Sequence, residues 1–287
     1  MMKLFIIICI FLNEKMRDGG GLMKNSADID LDARYYQEHS QPQYGRAQEL
    51  LNSLTFSESA VVLDVGCGVG NITAELSQKL PKGKLIGIDA SSSMIQLSKE
   101  KFPKSLFPNL EFQQIKAEEM YFEAESFDVI ICFSCLLWVR EPKKAIDLMC
   151  KALKPGGVIV ILTYLKESAY INFLEKTLAE FPLYRELSAA RTMLSIEEYK
   201  STLESHRFEL VEFRPEWRFS HYKNAEDLKA YLKGWLTCYV PLPEEIQEIF
   251  LDKAVVNSLS ESKGSVKGEI VLPYQLLAIK ATKSMCN

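Results

Sequence analysis

Histidine is scarce: His39, His206 and His221 are the only three in 287 residues, and they lie far apart. The seven cysteines are odd in number, and no pair has zinc-finger spacing. One CxxC, Cys132 to Cys135, ends an apolar run with no histidine following at ligand distance. No metal site is therefore expected, and buried free thiols are the simpler reading, with a metal or redox pair as the alternative. Such usage suits a reducing, cytoplasmic setting. Excess basic charge is also lacking: 34 Lys and Arg stand against 38 Asp and Glu, a net charge of −4. The chain thus has no bulk field to gather nucleic acid, and no nucleic-acid partner is expected. Long apolar runs are missing as well. The longest at the N-terminus, Leu4 to Leu12, has nine residues, whereas a spanning helix needs about 20. Asn13, Glu14 and Lys15 follow it without a small-residue cleavage pattern. Met16 and Met23 offer later starts, so residues 1–30 read as a flexible or mis-started leader, with export or membrane attachment as the alternative. No internal repeat is visible.

What is present is alternation. Short apolar runs at 60–66, 83–90, 127–134 and 158–164, with a period-two run at 110–117, read as strands. Helical spacing marks 44–54, 71–80, the segment after Ser91 or Ser92, and 142–153, the last stopped by "KPGG" at 154–157. Strand and helix alternating from about 60 to 164 predict an α/β fold with a doubly wound, mostly parallel sheet. The rhythm then breaks. Residues 168–206 read as helix interrupted at Pro182, 208–222 as strand, 224–236 and 243–256 as amphipathic helices, and 269–283 as a closing strand.

The stretch "VVLDVGCGVGNIT" (61–73) places Gly66, Gly68 and Gly70 at the end of the first strand. In a doubly wound sheet that position borders a ligand crevice, and glycine lets a ligand reach the main chain. A dinucleotide site needs G-x-G-x-x-G, but Asn71 stands where the third glycine belongs, which counts against a nicotinamide enzyme. Asp89, ending the second strand nineteen residues after Gly70, can accept both hydroxyls of an unphosphorylated ribose. Turn and acid together point to an adenosine ligand. Asp64 also suits a plain turn cap, and Met94 plain helix core.

With "LDVGCGVGNIT", "GIDASSSMI", "FDVIICFSCLLWV" and "ALKPGG", the chain resembles class I S-adenosylmethionine-dependent methyltransferases over about residues 35–164. The resemblance implies a Rossmann-like, seven-stranded sheet with helical lid insertions near the C-terminus. It implies one domain over 31–287, with a cofactor-binding core at about 35–164 and lid and closing strands at about 165–283. It implies that Asp64, Gly66, Cys67, Gly68 and Gly70 face the methionine portion of S-adenosyl-L-methionine and that Asp89 takes the ribose. Ala90 and Met94 would flank the adenine, Ala117 and Glu118 would lie at its edge, and Cys132 and Phe133 would approach from strand four. Lys116 departs from the pattern, standing where many relatives carry an acid.

The segments "CLLWV" (135–139) and "YYQEHSQPQYGRAQELL" (35–51) resemble the trans-aconitate and juvenile-hormone-acid branch, which esterifies small carboxylic acids. That likeness implies Tyr36, Gln43 and Trp138 at the acceptor, although Leu137 stands where relatives often have histidine. Neither a "[DN]PP[YF]" segment nor a Pro-Cys pair is present, so base methylation is not expected. A carboxylate is already nucleophilic, and transfer to it needs alignment and exclusion of water, with no residue required for acid–base chemistry. The expected function is methyl transfer to a small carboxylic acid. Another acceptor (quinone ring, amine or lipid precursor) and a non-catalytic cofactor-binding scaffold are the alternatives.

Overall fold

The computed structural model describes residues 32–39, 41–52, 54–188, 193–263 and 268–285. Expectations for the leader lie outside these residues, as do the side chains of His39 and Gln43.

Two short helices, α1 (Ala33–His39) and α2 (Gln41–Asn52), precede the sheet. The strand β1 (Val61–Val65) is buried on both faces, as its unbroken apolar run requires. It pairs in parallel with β2 (Lys84–Asp89) on one side and β4 (Phe127–Phe133) on the other. Helix α3 (Asn71–Lys79) crosses from β1 to β2, and α4 (Ser92–Lys101) crosses from β2 to β3 (Leu110–Gln114). Helix α5 (Pro142–Ala152) leads into β5 (Leu153–Tyr164). It buries Ala145, Ile146, Met149 and Cys150, a spacing that puts one stripe against the sheet. The seven strands lie in the order β3-β2-β1-β4-β5-β7-β6, with β7 (Ile270–Lys283) antiparallel to both β5 and β6 (Phe208–Tyr222). Strand order reverses between β1 and β4, which opens the ligand crevice at their C-terminal ends.

Two elements differ from the sequence expectation. β3 stops at Gln114, the last residue paired to Asp89, and the chain turns into a 3-10 helix at Ala117–Glu119. The "KPGG" segment is not a loop before β5 but a bulge within it. Phe127 pairs with Leu153 and Val129 with Val158, so four residues are looped out with Gly156 at φ +75°.

The remaining helices divide between the two faces. On one face α6 (Ala169–Leu178), α7 (Pro182–Ser188), α9 (Ala225–Lys233), α10 (Leu236–Tyr239) and α11 (Glu244–Ser258) share a core with α2 and α3. Helix α8 (Ile196–Ser205) packs on the other face, where Tyr199 and Leu203 join the α5 core and Lys143 meets Glu198 at 2.7 Å. The helices within residues 165–283 are thus divided between the two faces of the sheet. Strand β6 forms an edge. A bulge at Val211 keeps Leu210 and Phe213 on the same face, and Trp217 and Phe219 beyond them are exposed. On the opposite face Glu212, Arg214, Glu216 and Arg218 form a ladder of ion pairs at 2.6–3.3 Å.

Candidate functional site

The turn after β1 is held from below. Gly66 and Cys67 both donate backbone N–H bonds to the Ile88 carbonyl, at 2.8 and 3.0 Å. Gly66, Gly68 and Gly70 all have positive φ, at 79°, 55° and 80°. A Cβ on Gly66 would fall 2.4 Å from the Cys135 Cβ, and one on Gly70 would fall 2.5 Å from the Phe112 ring. Among the described residues, a Cβ on Gly68 would meet nothing within 4 Å. The outer glycines therefore serve internal packing, while the middle one borders open space.

Asp89 is oriented by the same turn. One carboxylate oxygen accepts from the Gly68 N–H and the other from the Ser91 N–H, both at 2.9 Å. Ser91 in turn caps α4 by accepting from the Met94 N–H at 3.1 Å. Behind the turn Asp64 is 3 % exposed and accepts from the Thr73 hydroxyl at 2.7 Å. Burial pushes its carboxyl up to about 7; the Thr73 bond opposes this and nearby Asp89 adds to it. The thiols here stay protonated. Burial holds Cys67 well above the usual range, and a hydrogen bond with Cys132 does the same for Cys135, aided by burial.

The other residues chosen for the cofactor surround this turn at different depths. Ala90 is exposed, its carbonyl accepting from the Gln114 amide at 3.1 Å. Met94 is 2 % exposed and packs with Ala33, Val69 and Leu97, with Tyr36 alongside. Ala117 is buried and Glu118 half-buried in the 3-10 turn, where Lys116 pairs with Glu119 at 3.7 Å. Cys132 is enclosed within the α5 core and Phe133 within the opposite one, so their side chains are walls of the sheet.

A second feature lies past β4. A cavity of about 100 Å³ is walled by Trp138, Tyr164, Tyr170, Tyr231, Trp235 and Tyr239. Ring centroids of Trp138 and Trp235 are 5.5 Å apart, those of Tyr231 and Trp235 5.9 Å, and those of Tyr170 and Trp235 6.3 Å. Interplanar angles of 51–75° make the rings enclose a space rather than stack. Glu175 also lines the cavity and accepts from the Tyr239 hydroxyl at 2.5 Å. Trp235 is 7 % exposed, and its Nε1–H has no partner among the described residues. Tyr36 links the two features. Burial raises its phenol, and the groups that add to this are Tyr231 and Cys238 on the cavity side and Asp89 and Cys135 on the turn side. α1, which carries Tyr36, is tied across the crevice. Tyr35 donates to the Ala230 carbonyl of α9 at 3.1 Å, and Lys101 of α4 donates to Gln37 at 3.0 Å.

The structure thus brings Tyr36 and Trp138 into one neighbourhood. Sequence reasoning missed Tyr170, Tyr231, Trp235 and Tyr239. The four-residue spacing of Tyr231, Trp235 and Tyr239 was the available signal, although Trp235 falls in the turn between α9 and α10 rather than within a helix.

A family model described as a methyltransferase domain matches residues 56–222. A putative methyltransferase of Invertebrate iridescent virus 6 is 29% identical over 139 residues, 48% of this chain and 50% of that protein. Trans-aconitate 2-methyltransferase of Variovorax paradoxus is 35% identical over 128 residues, 45% and 46% of the two chains. The chain spans about half the length of these curated relatives. Among solved structures, the YcgJ protein of Bacillus subtilis superposes with a TM-score of 0.61 at 16% identity, covering 85% of this chain and 100% of that one. A putative methyltransferase of Bacillus halodurans gives 0.60 at 17%, covering 83% and 98%. At such identities the structures speak for the fold alone, which is the Rossmann-like methyltransferase sheet. The family match carries more weight: it begins just ahead of β1, runs through the glycine turn and Asp89 to the end of β6, and takes in well over half of the residues, so this chain belongs to the methyltransferase domain family.

Proposed function

We propose that the protein transfers a methyl group from S-adenosyl-L-methionine to a small molecule seated in the aromatic cavity. The observation that carries this reading is the open face of Gly68 beside an Asp89 carboxylate already oriented by backbone N–H groups. A nucleoside approaching there meets bare main chain and two oxygens able to accept from its ribose hydroxyls. When bound, S-adenosyl-L-methionine supplies a methyl group on a positively charged sulfur. The chain's residues have the remaining tasks. Gly68 admits the ligand to the backbone, and Ala90, Met94, Ala117 and Glu118 border the space past Asp89. Tyr36 stands between turn and cavity, and the rings around Trp138 exclude water. Positioning suffices for catalysis, and no residue is assigned acid–base duty.

The resemblance in "CLLWV" and the trans-aconitate relative support a carboxylate oxygen as acceptor. Relatives of equal standing include ubiquinone/menaquinone biosynthesis C-methyltransferase UbiE of Vibrio vulnificus, 36% identical over 107 residues. The acceptor therefore has to be read from the cavity itself. All five described cysteines are free thiols, which supports a reducing compartment such as the cytoplasm. Calorimetry with S-adenosylhomocysteine tests the proposal. Saturable binding is expected, and saturable NAD binding in its place would overturn it.

A further inference from the structure

The walls of the cavity have one electrical character. Six rings line it, each with a negative face and a positive edge. The one charged residue among the described lining residues is Glu175, an acid; Lys, Arg and His are absent from that lining. Two of the lining hydroxyls are engaged within the wall: Tyr239 donates to Glu175, and Tyr170 shares a bond with the Tyr222 hydroxyl. Ser168 likewise donates to the Leu165 carbonyl. A carboxylate placed here would face the charge of Glu175 with no Lys, Arg or His among the described lining residues to balance it. It would lose its hydration for little return.

A nitrogen that carries or acquires positive charge has the opposite experience. Aromatic faces attract a cation through their quadrupoles, most strongly when water is excluded. Glu175, at the exposed side of the cavity, adds a direct attraction. We infer that this aromatic cavity is a cage for an amine, whose nitrogen takes the methyl group, an inference that rests on the methyl-transfer reading above. The nitrogen lone pair forms the new N–C bond as the C–S bond breaks onto sulfur. Positive charge passes from sulfur to nitrogen, and a primary or secondary amine then releases one proton to solvent. The cage favours the charge where it arrives, so its attraction is strongest late in the transfer.

Tetramethylammonium chloride probes the cage without chemistry, and sodium acetate serves as the anionic control at equal ionic strength. The full chain is first titrated with S-adenosylhomocysteine and then, saturated with it, with each probe, by calorimetry and tryptophan fluorescence. Tetramethylammonium should bind at least about tenfold more tightly than acetate and should alter the emission of Trp138 and Trp235. Glu175→Gln, at an exposed position, should weaken tetramethylammonium several-fold and leave S-adenosylhomocysteine affinity unchanged. Acetate binding as tightly as the cation, or a Glu175→Gln chain indifferent to the change, would overturn the cage. Failure of S-adenosylhomocysteine to bind would overturn the methyl-transfer reading instead, and the probe titration would still decide the cage.

Discussion

Gly66, Gly68 and Gly70 share a left-handed backbone and differ in what lies beyond it. Gly70→Ala drives a methyl group to within 2.5 Å of Phe112 and should cost about 2 kcal/mol or more of stability. Gly68→Ala meets open space, so only the backbone strain of about 1 kcal/mol remains. It should keep its melting temperature within a few degrees yet weaken S-adenosylhomocysteine by about tenfold or more, because the new methyl occupies the ligand's approach. Equal loss of binding and stability in both variants would refute this division. Asp89→Ala should likewise weaken the nucleoside by about tenfold, through two lost charge-assisted bonds. The bonds from Gly68 and Ser91 also predict a stability loss of about 1 kcal/mol, read by denaturant titration. Asp64 adds a pH signature. Its carboxyl titrates near 3.8 ordinarily and at about 7 in the fold. Between those values the folded chain keeps a proton that the unfolded chain has released. Stability therefore falls as pH rises from about 4 to about 7, and this contribution is gone above that. Melting curves at pH 5 and pH 8 should show Asp64→Asn gaining on the parent as pH rises; a constant gap would exclude Asp64 as the titrating group.

At the scale of elements, legibility followed locality. β1, β2 and β4 announce themselves because burial on both faces demands continuous apolar residues, and α5 because its core stripe repeats at helical spacing. Glycines at fixed offsets exposed the turn, since backbone freedom operates over a few residues. "KPGG" misled for the same reason: Pro and Gly signal a turn locally, and only pairing of β5 with β4 on either side converts that turn into a bulge. α8 shows a second kind of failure. Its helical character was evident, but which face of the sheet it covers depends on contacts with Lys143 and Asp147 of α5, far away in sequence. Its start is nonetheless local. Ser195 accepts from the Glu198 N–H while Glu198 accepts from the Ser195 N–H, a reciprocal cap. Ser195→Ala should lower stability by about 1 kcal/mol, measured by urea unfolding.

For the whole molecule, the glycine turn was readable and the aromatic cavity was not. The former is built from one crossover and the next strand. The latter gathers Trp138, Tyr164, Tyr170, Tyr231, Trp235 and Tyr239 from five separate elements, including helices that only the antiparallel return of β7 and β6 brings back over the crevice. No window of sequence contains that assembly. The same return leaves β6 as a long outermost strand, fifteen residues with Trp217 and Phe219 bare on one side. Unpaired backbone of that length invites another copy to add a strand. Three features answer the hazard. Pro215 removes an N–H, the Val211 bulge twists the ribbon, and the alternating Glu and Arg ladder makes an in-register neighbour place like charges opposite one another. The rim of this enzyme-like fold is accordingly written for solubility as much as for stability. Pro215→Val combined with Arg214→Val should turn clear solutions into ones that scatter light at concentrations the parent tolerates, with nucleoside binding in the remaining monomer intact.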